Sequence, residues 1–273
     1  MKKLLILLFS LLLLTGCGSN NTTNETQTND NVIKVSCTAE PHATILEFVK
    51  PILSEQGYEL DIEILDNFFI FNQALDAGDV DANYFQHVPF FEGEVETKGY
   101  DLVNVGGIHI EPFGIYSSKH ESLELIPDGA NVIISNSIAD HGRILFILQD
   151  AGLIKLNDDV TPVNATVDDI KGNPKNLTFK EVNPEFLTTA YSSGEGDLVA
   201  INGNYALSAG LNPLEDALIL ESTSNDNPYV NIVACKKGNE NSDKIKALVN
   251  ALTSEETKNF IIEKFGGSVI PAN

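Results

Sequence analysis

Strand and helix patterns alternate along most of this chain, which restricts it to α/β architectures. The clearest strand is Tyr58-Glu59-Leu60-Asp61-Ile62-Glu63-Ile64, where apolar residues fall on every second position. Ahead of it, Ile45, Phe48, Val49, Ile52 and Leu53 line one side of a helix predicted from Pro41 to Gln56, stopped by Gly57. With the apolar run from Val32 to Cys37 in front, this is a strand-helix-strand unit. The pattern recurs at Val132 to Ile134 with a helix over Gly142 to Asp150, and at Leu177 to Phe179 with a helix over Phe186 to Tyr191. It recurs again at Leu198 to Ile201, followed by a helix over Tyr205 to Ala209. Two helices with apolar faces close the chain, Asp243 to Leu252 and Glu255 to Phe265. In sheets assembled this way, ligands lie beyond the carboxyl ends of the strands.

The first residues follow a different rule. Lys2 and Lys3 precede an apolar stretch from Leu4 to Leu14, and Leu14-Thr15-Gly16-Cys17 follows. A positive start, a short apolar centre and small residues before the cut describe a secretory signal too short to span a bilayer. The cysteine at the cut makes residues 1–16 a bacterial lipoprotein signal and Cys17 the expected site of diacylglycerol attachment. From Gly18 to Asn31 no apolar residue occurs, so residues 17–31 are a lipidated cysteine and a flexible tether. Fourteen residues of coil reach about 20 Å, enough to hold a folded body just off the membrane surface. The protein is therefore expected on the extracytoplasmic face of the cell membrane, anchored by lipid.

The folded body is acidic. The whole chain carries a net charge of −22, which argues against nucleic acid and against lying flat on anionic lipid. Cys37 and Cys235 are too few for a disulfide framework. They lie in two strand-like runs and pair only if those strands are neighbours; buried free thiols are the preferred reading. The acidic pairs Asp158-Asp159 and Asp168-Asp169 have no histidine at metal-ligand spacing, so no metal and no cofactor are expected.

Sixteen of the seventeen basic residues are lysine, and the single arginine is Arg143. A guanidinium presents a planar fork that matches a carboxylate, which lysine cannot reproduce. Arg143 sits where a buried strand enters a helix, Ser135-Asn136-Ser137-Ile138-Ala139-Asp140-His141-Gly142-Arg143, and free backbone N–H groups at such a junction also favour an anion.

These residues, with others, carry a family resemblance. Pro41-His42-Ala43-Thr44, the run Asp81-Ala82-Asn83-Tyr84-Phe85-Gln86-His87-Val88-Pro89, Gly142-Arg143, Ile201-Asn202-Gly203-Asn204-Tyr205-Ala206 and Tyr229-Val230-Asn231 resemble the methionine-binding lipoproteins of the MetQ/NlpA family. That resemblance implies a two-lobed α/β fold of the periplasmic-binding-protein type with the ligand cleft between the lobes. It implies one lobe from residues 32–113 plus 227–273 and a second from 114–226, including the crossovers. It further implies a solute-binding protein, not an enzyme, that passes methionine to the permease and ATPase complex of an ABC importer. By motif matching, Arg143 holds the ligand carboxylate, Asn202 and Asn231 its polar end, and Phe85 and His87 line the side-chain pocket. A thioether favours aromatic edges, and with no Trp the supply must be Phe or Tyr.

Two positions depart from the family pattern. Asn67 stands where a tyrosine near the ligand is usual, and the Asn-Asp-Pro-Thr-Asn run before Gly-Arg is reduced to Asn136 followed by Ser137, Ile138, Ala139 and Asp140. Asp140 either pairs with Arg143 one helical turn on, or receives the ligand ammonium. The departures leave open a different amino acid or a methionine-containing dipeptide. A secreted hydrolase or a ligand-free adhesin remain alternatives, although no Gly-x-Ser-x-Gly elbow occurs. His42 is read as structural, and Phe68 to Phe71 as core.

Because Cys17 is the thiol at the signal cut, Cys17→Ala is expected to leave the precursor unprocessed or release the protein from membranes. Fractionation that found normal processing and full membrane retention would refute the lipoprotein assignment.

Overall fold

A computed structural model of the chain describes residues 31–222 and 227–272. The signal segment, Cys17 and most of the tether lie outside the described residues.

One sheet begins with β1 (Val32–Cys37), β2 (Glu59–Ile64), β3 (Ala82–His87) and β4 (Leu102–Ile110). β1 runs parallel to both β2 and β3, joined by α1 (Thr44–Glu55) and α2 (Phe68–Ala77), as the right-handed packing of such units favours. β3 is buried at every position, so its sequence lacks the alternation that marks the edge strand β2. α3 (Val88–Lys98) starts directly at the end of β3, with His87 as its cap and Pro89 in the first turn, and ends at Gly99 in a left-handed conformation.

The second sheet takes β5 (Gly114–Tyr116), β6 (Asn131–Ser135), β9 (Thr178–Val182), β10 (Leu198–Ile201) and β11 (Ile219–Leu220), with a separate two-stranded ribbon of β7 (Lys155–Leu156) and β8 (Ile170–Gly172). Its order is β11-β5-β10-β6-β9, with β10, β6 and β9 parallel. α4 (Ile138–Asp150) follows β6, α5 (Leu187–Ser192) follows β9, and α6 (Gly203–Ser208) and the short α7 (Pro213–Asp216) follow β10. α4 begins four residues earlier than its apolar periodicity predicts, because in its first turn Ile138 is exposed while Asp140 and His141 are buried, against the apolar pattern. The chain then returns to the first sheet as β12 (Val230–Lys236) and β13 (Ile270–Pro271), with α8 (Asp243–Leu252) and α9 (Glu255–Phe265) between them. The completed first sheet has the order β13-β4-β12-β3-β1-β2.

Each sheet has its own apolar core. Ile33, Val35, Leu46, Val49, Leu248 and Ile261 pack one, and Ile115, Val132, Ile134, Leu145, Leu148 and Ala200 pack the other. A third cluster bridges them: Phe68, Phe71, Phe85 and Phe90 from the first lobe meet Tyr116, Leu187, Ile201 and Tyr205 from the second. Cys37 and Cys235 are buried free thiols because β3 separates β1 from β12, and burial pushes them up to about 12 and about 11.

Gly142 is required by a close approach. A Cβ there would lie 2.2 Å from the Pro162 carbonyl oxygen, part of a loop that also accepts the Tyr229 hydroxyl at 2.6 Å. Alanine would gain about 1 kcal/mol in helix propensity, but overpacking of this kind costs about 1–3 kcal/mol or more. Gly142→Ala is therefore expected to lower the denaturant midpoint at constant m value, and a raised midpoint would contradict the contact.

Candidate functional site

Between the two sheets, beyond the carboxyl ends of β3, β6 and β10, lies a narrow cavity of about 20 Å³. That is room for about one water molecule, so a guest enters only if the walls part. Its walls combine Phe68, Phe85 and Phe90 with Gln86, His87, Glu111, Asp140, Arg143, Asn202, Asn204 and Asn231. Of the residues singled out from sequence, Phe85, His87, Asp140, Arg143, Asn202 and Asn231 meet here.

Asp140 is 1% exposed and sits in the first turn of α4. Its Oδ1 accepts from His87 Nε2 at 3.1 Å, and its Oδ2 accepts from Asn202 Nδ2 at 3.2 Å. His87 Nδ1 accepts the Phe90 backbone N–H at 3.2 Å, so the ring carries its proton on Nε2 and aims it at Asp140. Burial alone would raise the Asp140 carboxyl; the His87 hydrogen bond, the Arg143 charge and the Asn202 hydrogen bond outweigh it and hold the group below the usual range. Asp140 thus bonds His87 and Asn202, not the arginine one turn away. Asn202 spends its amide nitrogen on this bond, and its Oδ1 is buried with no hydrogen-bond partner among the described residues.

Arg143 is 4% exposed, its guanidinium lying over the Tyr229 ring at 4.3 Å and the Phe113 ring at 5.1 Å. The fork anticipated for a ligand carboxylate is engaged by Glu221, with Nε donating to Oε1 at 2.8 Å and Nη2 donating to Oε2 at 2.5 Å. Nη2 also donates to the Glu111 carbonyl at 2.6 Å. Nη1 makes no hydrogen bond among the described residues and is what the side chain has left for a ligand. Burial opposes the charge, but Glu221 overrides it and keeps Arg143 protonated.

Behind Asn231 lies a buried polar chain that sequence reasoning did not assemble. Tyr84 Oη meets His109 Nδ1 at 2.5 Å, and His109 Nε2 meets Glu111 Oε1 at 2.8 Å. His42 Nε2 lies 3.5 Å from the same carboxylate oxygen and 3.2 Å from Asn231 Oδ1, while His42 Nδ1 meets Thr38 Oγ1 at 2.7 Å. Burial pushes both histidines down to about 3, so each is neutral with one N–H. Burial also pushes the Glu111 carboxyl up, against the pull of His42, Arg143 and the Asn204 N–H. His42, His109 and Glu111 are close enough to gather round a metal ion, yet each ring nitrogen already has a hydrogen-bond partner. The one sequence signal for this chain was His109 and Glu111, two polar residues on one face at the end of an apolar strand.

Asn67 and Asn136 lie elsewhere. Asn67 caps α2 by accepting the Phe69 N–H at 2.9 Å, and Asn136 is exposed with its amide donating to Asn183 Oδ1 at 2.7 Å. Phe68, read as core, is both: it packs in the bridging cluster and lines the cavity. Asp169 caps a turn with Thr166, and Asp158 pairs with Lys171.

The family profile described as NlpA lipoprotein matches residues 33–273. The chain is 48% identical, over the full length of both, to the methionine-binding lipoprotein MetQ of Bacillus subtilis. It is 33% identical to the D-methionine-binding lipoprotein MetQ of Salmonella typhi, over 96% of this chain and 94% of that one. Among solved structures, a nutrient-binding protein from Burkholderia cenocepacia bound to methionine superposes with a TM-score of 0.82 at 36% identity, covering 88% of this chain and all of the other.

The neutral histidines make stability depend on pH. Their ordinary value is 6.5 and their folded value is about 3, so unfolding takes up protons between those limits. Their contribution is whole above about pH 6.5 and is lost as pH falls toward 3. Each imidazole contributes a slope of roughly 1 kcal/mol per pH unit. His42→Gln, which cannot titrate, is expected to flatten the dependence of unfolding free energy on pH between 6.5 and 5 by about that amount; an unchanged slope would mean that His42 is not the neutral buried group described.

Proposed function

The chain belongs to the NlpA lipoprotein family, and from that premise we propose that it captures free methionine outside the cell and delivers it to an ABC importer. We place the lobe boundaries at residues 32–113 plus 227–273 and 114–226, following the two sheets. We assign Cys17 as the lipid anchor that holds the receptor on the extracytoplasmic face, near the permease and ATPase complex. The site performs capture and not catalysis, since its polar groups bind one another and leave only hydrogen-bonding capacity for a guest.

The observation that carries this reading is the complementary bonding of two asparagines. Asn202 is held through its nitrogen and offers a bare oxygen beside the Asp140 carboxylate. Asn231 is held through its oxygen and offers its nitrogen on the same wall as Arg143. One asparagine therefore accepts and the other donates, which matches an α-ammonium and an α-carboxylate on one carbon. Phe68, Phe85 and Phe90 then take the side chain, and ring edges suit a thioether sulfur. Two relatives are named for methionine or its D form, and a third was solved with methionine bound.

A longer ligand has one observation in its favour. Arg143 also borders an open groove with Glu221, Tyr229, Asn227 and Pro162. A methionine-containing dipeptide would extend that way if Glu221 gave up the guanidinium.

Titration calorimetry tests both. Methionine is expected to bind, and Asp140→Asn to weaken binding more than tenfold, since truncating one partner of a desolvated charged pair costs about 2–5 kcal/mol. Tighter binding of dipeptides than of methionine would favour the second reading. No binding of either by ligand-free, folded protein would refute both.

A further inference from the structure

We propose that His42 is a positioning residue for ligand recognition: its Nε2 hydrogen bond to Asn231 Oδ1 commits the amide oxygen and leaves the amide nitrogen as the donor for the ligand carboxylate. The inference rests on the amino-acid reading above and names a residue outside the cavity wall as part of its selectivity.

An asparagine amide alone has no preferred face. Rotated by half a turn, Asn231 would present its oxygen to the cavity and repel a carboxylate. The direction is set by the chain behind it. Tyr84 is fully buried and its hydroxyl has no partner among the described residues other than His109 Nδ1, 2.5 Å away, so the phenol spends its one proton on that nitrogen. A neutral imidazole that accepts at one nitrogen donates from the other, so His109 Nε2–H points at Glu111 Oε1. That oxygen, turned into an acceptor, lies 3.5 Å from His42 Nε2 and disfavours a lone pair there. His42 therefore carries its proton on Nε2, accepts from the Thr38 hydroxyl at Nδ1, and donates toward Asn231 Oδ1. His42 itself is held edge-on against Tyr84, with ring centroids 4.6 Å apart, so the ring cannot swing away without opening the core.

The arrangement mirrors the setting of Asn202, where Asp140 can only accept and so leaves the amide oxygen free. One amide is oriented by a carboxylate and the other by a histidine.

The experiment uses the full-length protein in detergent and compares methionine with methioninamide, which replaces the carboxylate by a neutral group that also donates. Wild-type protein is expected to prefer methionine strongly. His42→Leu frees Asn231 to rotate, so the ratio of the two dissociation constants is expected to fall at least fivefold, while methionine binding weakens about tenfold. His42→Gln, which can still donate to Oδ1, is expected to restore most of the ratio. In an Asn231→Asp background, which cannot donate, His42→Leu is expected to change the ratio little further. A merely structural role would weaken both ligands alike and leave the ratio intact, and that result would overturn the proposal. If His42→Leu does not fold, nitrogen NMR of the wild-type imidazole decides: a proton on Nε2 is required, and a proton on Nδ1 overturns the assignment. Wild-type protein that shows no preference for methionine brings down the amino-acid reading and this inference with it; a preference that His42→Leu leaves unchanged brings down the inference alone.

Discussion

The structure is organised around a buried carboxylate. Asp140 is buried in the seam between the lobes, and an unpaired charge there would cost several kcal/mol. Its two partners come from different sheets: His87 ends β3 of the first, and Asn202 directly follows β10 of the second. The carboxyl ends of those strands must therefore face each other for the charge to be satisfied. Tyr205, which donates to the Asp66 carbonyl at 2.6 Å, and the bridging aromatic cluster add apolar burial to the same alignment. Closure and charge pairing are one condition.

The same logic explains why polar groups are so densely paired around a cavity that leaves so few free. Arg143 is clamped by Glu221 and sandwiched by two rings, which fixes its position and limits what it can offer a guest. The neutral histidines do for Asn231 what Asp140 does for Asn202. Every donor and acceptor with a partner is a direction removed from the unpaired ones, so the orientation of the polar wall is set by the fold itself. Glu111 ties these parts together: its carbonyl holds Arg143, its carboxylate holds His109, and its Cβ side would lie 2.7 Å from any side chain at residue 203, which is why glycine stands there.

Much of this was legible in the residues. The alternation of strand and helix located β1, β10, α8 and α9 to the residue, because their burial is one-sided or complete over a whole element. The scarcity of arginine drew attention to Arg143, and the motifs around Asn202, Asn231 and His87 brought the cavity wall with them. β3 was not found as a strand, because burial on both faces erases its alternation and leaves polar residues such as Asn83 and Gln86 inside, bonded to each other at 2.9 Å and to Asn72. Asn67 and Asn136 were drawn in by their places in the family pattern, but capping a helix and pairing with Asn183 use their amides elsewhere.

The sequence by itself determined the α/β class, the acidic body behind a lipoprotein signal, and which polar residues stand at strand ends, since these depend on local periodicity and on residue chemistry. Only the tertiary structure decided what each of those residues does. Glu221 is 78 positions from Arg143, and His42 is 189 positions from Asn231, so neither pairing leaves any trace in local spacing. Which way an amide faces depends on a partner across the fold, and partners at that distance are chosen by packing.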